Sequence, residues 1–320
     1  MKIPTLAALV LSLASVSPSH AQTYPTKTVR IIVGLAPGGT TDVFTRTLAQ
    51  RLTEAWGQTV IVENRPGASG MIGAEAVAKA APDGYTLLVS PQTSLAVAPA
   101  LYGKAPYDTA KDFAPVSLLG STPLVMIVHP SFAAKTFADF IALARKGTPL
   151  TYGSGGVGSS PHMTGELISA ALGVKMNHVP YKGENPAIAD TIGGQIPIMF
   201  GNLPVALPHV RSGKVLALAT TTAKRSPLAP EIPTMSEGGI QDFEMATWYG
   251  MLAPAGTPPE LVARIQRDAA RVLSDSQTRE RLTQMGVDLI LSTPEEFRTY
   301  LNAEIARYTR IIKSAGLKAE

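Results

Sequence analysis

The chain has 320 residues, 45% hydrophobic and 16% charged, with 28 basic and 24 acidic side chains and no cysteine. That composition is globular, and the missing cysteine excludes disulfides, thiolate metal sites and a cysteine nucleophile. The basic residues are scattered, which excludes a nucleic-acid stripe, and a formal charge of +4 gives only a mild pull on anions.

The first 21 residues read as an export signal. Lys2 supplies the positive charge, 6–16 is an apolar run too short for a permanent anchor, and Ser19 and Ala21 are the small residues a signal peptidase reads. Cleavage is expected after Ala21, with the mature chain in the periplasm. No later stretch approaches 18 continuous apolar residues, so no membrane insertion of the mature chain is expected.

Strand and helix signals then alternate. A short strand at 29–33 runs into a glycine loop, 34–41, and an amphipathic helix from Asp42 towards Leu52 follows, ending near Gly57. Val43, Phe44, Thr47, Leu48 and Leu52 mark its apolar side, and Thr40, Thr41 and Asp42 are expected to cap its start. Gly38 and Gly39 allow a sharp bend and close approach to a ligand. The loop reads either as an ordinary turn or, because a helix start exposes N–H groups, as a seat for a small anion. Further strands are expected at 59–63 and 85–90, with a helix through Ala80 between them, stopped by Pro82-Asp83-Gly84. This alternation implies a mainly parallel sheet with helices on both faces, its ligand edge formed by loops 34–41, 64–69 and 91–94.

The apolar stretch 116–129, interrupted by Thr122-Pro123, reads as a strand passing from a first lobe into a second. Thr136 and Asp139 form a capping box, and 150–152 leads into a second glycine loop with Gly153, Gly155, Gly156 and Gly158. Ser160-Pro161 and Asn185-Pro186 look like cap-plus-proline helix starts. Strands follow at 176–179, 196–200 and 215–220, then a Pro- and Gly-rich connection at 226–239 and a second crossing strand at 245–253. Capping boxes at 257–260 and 293–296 open two helices assigned to the first lobe; Leu261, Ile265 and Val272 face the core from one, Phe297, Leu301 and Ile305 from the other. The expected fold is therefore α/β and two-lobed, each lobe a mainly parallel sheet flanked by helices. The first lobe takes 22–123 and 247–320, the second 124–246.

Catalytic signatures are sparse. Gly153, Gly155 and Gly158 form a GxGxxG, but the following strand ends in Pro180-Tyr181-Lys182 without the acid a dinucleotide site needs; the first lobe has that acid, Glu63, without the glycine fingerprint. There is no GxSxG and no HExxH, so no catalytic residue, metal site or cofactor is expected. Asp42 and Glu63 read as loop-ordering groups rather than an acid–base pair. His162 and Glu166, four apart, read as a packing pair, although His162 in a first helical turn also has reach to a ligand. Trp248 suits hinge packing or a stacking platform, and Tyr181-Lys182-Gly183 suits a surface turn or an anion contact. The loops offer glycine N–H groups, hydroxyls on Thr40, Thr41, Thr93, Ser154, Ser159 and Ser160, amides on Gln92 and Asn202, and no arginine clamp beyond Arg65. That set fits a small carboxylate, directly or through water.

The same residues carry a family resemblance. APGGTTD (36–42), VENRPGASGMIGAEAVAKAAPDGYTLL (62–88), PYD (106–108), KDFAPVSL (111–118), YGSGGVGSSPH (152–162), HVPYKG (178–183), ALPHVRSGKVLALA (206–219), KRSP (224–227) and TWYGMLAPAGTP (247–258) run in order across the chain. It resembles the Bug family, exported solute-binding receptors of tripartite tricarboxylate transporters. The resemblance implies a "Venus flytrap" that closes on a small carboxylate through backbone N–H groups and ordered water. It points to Gly38, Gly39, Thr40, Asp42 and Thr93 in the first lobe and to Ser154, Gly156, Ser159 and Asn202 in the second; His162 and Trp248 complete the expected ligand set. Leu35 and Gly201-Asn202 depart from the family pattern, which has an aromatic residue near the first and Asp-Asn at the second. The expected protein is a monomeric periplasmic receptor serving membrane transporter subunits or a sensor kinase. The rival is a secreted enzyme, dinucleotide-linked or a hydrolase.

Overall fold

One strand of 16 residues, Phe113–Val128, belongs to both halves of the molecule. The computed structural model describes residues 24–317; the expected signal peptide and its cleavage site after Ala21 lie outside the described residues. In chain order the elements are β1 (Val29–Val33), α1 (Thr40–Trp56), β2 (Val60–Asn64), α2 (Met71–Ala78), β3 (Thr86–Pro91), α3 (Ala98–Tyr102), β4 (Phe113–Val128), α4 (Phe137–Arg145), β5 (Leu150–Ser154) and α5 (Ser160–Leu172). Then come β6 (Met176–Pro180), α6 (Glu184–Ile192), β7 (Ile198–Asn202), α7 (Leu203–Arg211), β8 (Leu216–Thr220), β9 (Ala246–Pro254), α8 (Pro259–Leu273), α9 (Ser276–Gln284), β10 (Asp288–Leu289) and α10 (Pro294–Ala315).

The fold is α/β and two-lobed. β2, β1 and β3 run parallel, β9 pairs antiparallel with β3, and the first part of β4 pairs with β9 from Phe113↔Pro254 to Pro123↔Ala246. From Leu124 onward β4 changes partners, to β7 on one side and β8 on the other, while β5, β6 and β7 run parallel. Pro123 has no N–H for a ladder, a natural place for pairing to change. Thr221 knits the crossing together: its Oγ1 accepts from Leu124 N at 3.1 Å and donates to Met245 O at 2.5 Å.

α1 forms because Phe44, Leu48 and Leu52, spaced by four, give one fully buried stripe, and Gly57 ends it at φ 65°. β3 is buried along its whole length, as befits a strand covered on both faces. α10 carries the capping box read from the sequence, Thr293 with Glu296, and buries Phe297, Leu301, Tyr308 and Ile312, with Ile305 half-buried. One apolar cluster runs through both lobes, from Ile32 and Leu88 past Trp248 to Met126, Tyr152 and Phe200.

Several expected helix starts differ. α1 begins at Thr40, its N-cap is Gly39 with no side-chain bond, and Thr40, Thr41 and Asp42 lie inside the first turn. In α5 the cap is Ser159, one residue earlier than expected, because its hydroxyl accepts from His162 N. α6 begins after Gly183 without a side-chain cap, so Asn185 is not one. At 257–260 no capping box forms: the Thr257 hydroxyl donates to Pro254 O instead.

Candidate functional site

A cleft of about 430 Å³ lies at the carboxyl ends of the first-lobe strands, facing loops of the second lobe. The first-lobe wall begins where β1 ends. A Cβ at Gly34 would sit 2.5 Å from Gly70 O, so only glycine lets the chain leave the sheet here. Gly38 at φ 85° turns it into α1. Asp42 then fixes the loop: its carboxylate accepts from Gly38 N at 2.9 Å, Arg46 Nε at 3.0 Å and Asn64 Nδ2 at 2.9 Å. Asn64 also donates to Leu35 O at 3.0 Å, so the turn is held at both ends. Burial pushes the Asp42 carboxyl up, but the bonds from Arg46, Gly38 and Asn64 outweigh it and hold it below the usual range.

The strand β3 delivers Pro91 and Thr93 to the cleft. Between them Gln92 is fully buried. Its Nε2 donates to Ser160 Oγ at 2.7 Å and Ala246 O at 2.9 Å, and its Oε1 accepts from Trp248 N at 3.0 Å. Ser159 and Ser160 line the opposite wall, with the segment 182–186 and Asn202. A polar chain crosses from the hinge: Thr247 Oγ1 donates to Asn202 Oδ1 at 2.9 Å, and Asn202 donates to Glu184 from Nδ2 at 2.5 Å and from its backbone N at 3.1 Å. Burial pushes the Glu184 carboxyl up to about 7 even though the Asn202 bonds lower it.

Of the residues the sequence singled out, Gly38, Gly39, Thr40, Asp42, Thr93, Ser159 and Asn202 line the cleft. Ser154, Gly156, His162 and Trp248 do not. Ser154 is fully buried behind the second loop, its Oγ bonded to His178 Nε2 at 2.7 Å and accepting from Gly156 N at 3.1 Å. His162 accepts from Gly158 N at 3.0 Å and stacks on His178 at 3.9 Å. Burial, with the neighbouring His178, lowers it to about 3, so it is neutral. Trp248, 1% exposed, packs against Phe297 and Tyr300 and donates to Glu304 Oε2 at 2.9 Å. Arg65 pairs with Glu63, and Tyr181 donates to Asp190 at 2.7 Å, while Lys182 does line the cleft. Beyond the residues expected from the sequence, Glu184, Thr247 and Tyr249 also line the cleft. Alternation along β9 would have found the latter two, because residues on either side of Trp248 face the other way.

Four helix starts meet at this cleft, at Thr40, Ser160, Glu184 and Leu203, each with a residue at or next to its N-terminus in the wall. Their dipole ends favour a bound anion, although Pro161, Pro186 and Pro204 bring no N–H to the first turns of α5, α6 and α7 and Ser159 takes the His162 N–H.

Residues 44–317 match the profile described as "Tripartite tricarboxylate transporter family receptor". The chain is 37% identical to the Bordetella pertussis protein BugT over 305 residues, 94% of this chain and 93% of that one. It resembles an R. palustris protein solved with adipate at 36% identity and TM-score 0.82, covering 92% of this chain and 99% of the other. It also resembles MatC from Rhodopseudomonas palustris with bound malate, at 33% identity and TM-score 0.79, covering 90% and 100%.

Proposed function

This chain belongs to the tripartite tricarboxylate transporter receptor family, and from that premise we propose that it captures a small organic carboxylate between its lobes for uptake. The observation that carries the reading is the meeting of four helix N-termini on one cleft walled by threonine and serine hydroxyls. Such a wall stabilises a carboxylate by hydrogen bonds and dipoles without an arginine. The related proteins solved with adipate and with malate support the ligand class. We take the lobe boundaries to lie after Pro123 and before Thr247, where β4 changes partners and the chain returns, and the protein to act in the periplasm after cleavage at Ala21. Closure about these crossings follows from tighter binding to the closed form. The recipient we propose is a membrane transporter, as the family description supports; a sensor kinase would read the same closed form.

The test is a thermal-shift screen against mono-, di- and tricarboxylates and amino acids, with NAD and NADP included. A ligand at about 100 times its Kd adds roughly 2.7 kcal/mol. Shifts confined to one class of acid support the receptor reading; a shift with a nucleotide alone overturns it in favour of an enzyme.

A further inference from the structure

Glu184 is one of two carboxylates in a cleft wall otherwise polar through hydroxyls, amides and backbone groups, with Asp42 the other. Both its carboxylate oxygens are turned to Asn202, at 2.5 and 3.1 Å, which fixes the group at the start of α6 on the cleft wall. Gly201, with no side chain, stands beside Oε2: a Cβ there would be 3.7 Å from that oxygen and 3.1 Å from Met199 Cε. Among the described residues Glu184 forms no ion pair, and no cation contributes to its titration. The other charged or titratable groups lining the cleft are Lys182, exposed at the rim, Asp42, already paired with Arg46, and the buried Tyr249. The cleft therefore has hydroxyls and helix ends for a carboxylate and, in the wall at one of those helix ends, an acceptor without a counter-charge.

We propose that Glu184 sets the class of ligand: a monocarboxylate that also carries a protonated amine, an aminocarboxylate, in preference to a dicarboxylate. The proposal rests on the carboxylate-capture reading and sharpens it. An ammonium at the Glu184 end supplies the missing counter-charge and up to three N–H donors. A second carboxylate there sets two like charges together with no cation between them, a repulsion that selects against it.

The experiment is calorimetric titration of the protein with paired probes: β-alanine, 4-aminobutyrate and 6-aminohexanoate against malonate, succinate and adipate, plus alanine against lactate. Amine-bearing members are expected to bind at least about tenfold tighter than their partners, and more tightly at pH 8 than at pH 6, as Glu184 ionises. Glu184→Gln should remove the preference, and Glu184→Asp, which keeps a carboxylate, should retain part of it; circular dichroism verifies that both fold. A preference for dicarboxylates that survives Glu184→Gln overturns this inference and leaves the capture reading standing. Silence from every acid overturns both.

Discussion

Gln92, just after β3, and Ser160, at the start of α5, are joined by a buried bond, the amide Nε2 donating to the hydroxyl at 2.7 Å. The same side chain also holds Ala246 O and Trp248 N, where the chain returns to the first lobe. Gln92 thus ties both walls to the hinge. Gln92→Ala removes the bond between lobes and deprives the buried Trp248 N and the part-buried Ala246 O of this partner, at about 1–3 kcal/mol for the buried group. We expect lower urea stability and at least tenfold weaker binding of whichever acid scores in the screen. Small-angle scattering should show a larger radius of gyration in the variant; an unchanged radius and affinity would show that this bond does not set closure.

Asp42 should matter as the brace of the first loop. Asp42→Asn keeps the shape but turns one acceptor oxygen into a donor, facing either Gly38 N and Arg46 or Asn64. The expected cost is about 1–3 kcal/mol in unfolding free energy, with affinity falling more than tenfold as the loop relaxes. Titration calorimetry beside chemical denaturation separates the two effects. Wild-type affinity in this variant would remove Asp42 from the binding machinery.

The histidine pair behind the second loop predicts acid sensitivity. His162 is lowered by burial and by His178 to about 3, and His178 by burial to about 4, both from 6.5. The folded state resists protons that the unfolded state accepts, so their contribution is complete above pH 6.5 and is lost as pH falls from there towards 3–4. At pH 5 His162 alone should cost roughly 2 kcal/mol. Glu184, raised from 4.5 to about 7, acts with the opposite sign, its contribution falling as pH rises from 4.5 through 7. Urea titrations at pH 7 and pH 5 in the Glu184→Gln background isolate the histidines; equal stability at the two values would contradict the assignment.

Trp248 should be a stability residue and not a ligand contact. Trp248→Phe removes the N–H that Glu304 accepts and leaves a void beside Phe297 and Tyr300. We expect about 1–3 kcal/mol of lost stability and a Kd within twofold of wild type. A Kd changed tenfold at preserved stability would return the indole to the site.

Much was legible because it depends on neighbours in sequence. The stripe Phe44, Leu48, Leu52, the Gly57 stop and the boxes at Thr136 and Thr293 are local, and the structure repeats them. So are the two glycine loops. The alternation of strand and helix determined an α/β chain, and the long apolar stretch containing Pro123 announced the crossing. The tertiary structure alone decided which loop hydroxyls reach the cleft. Ser154 ends β5 and Ser159 caps α5 five residues later, yet His178, from the neighbouring strand, holds Ser154 inward while Ser159 stays on the wall. Gln92 and Ser160 are 68 positions apart, and Asn202 and Glu184 are 18 apart. Their pairing exists only because parallel strands bring distant loops to one edge. Local propensity marks where helices lie to within a residue or so; the cap each start uses and the group it faces are set by packing and by the partner each buried polar atom must find.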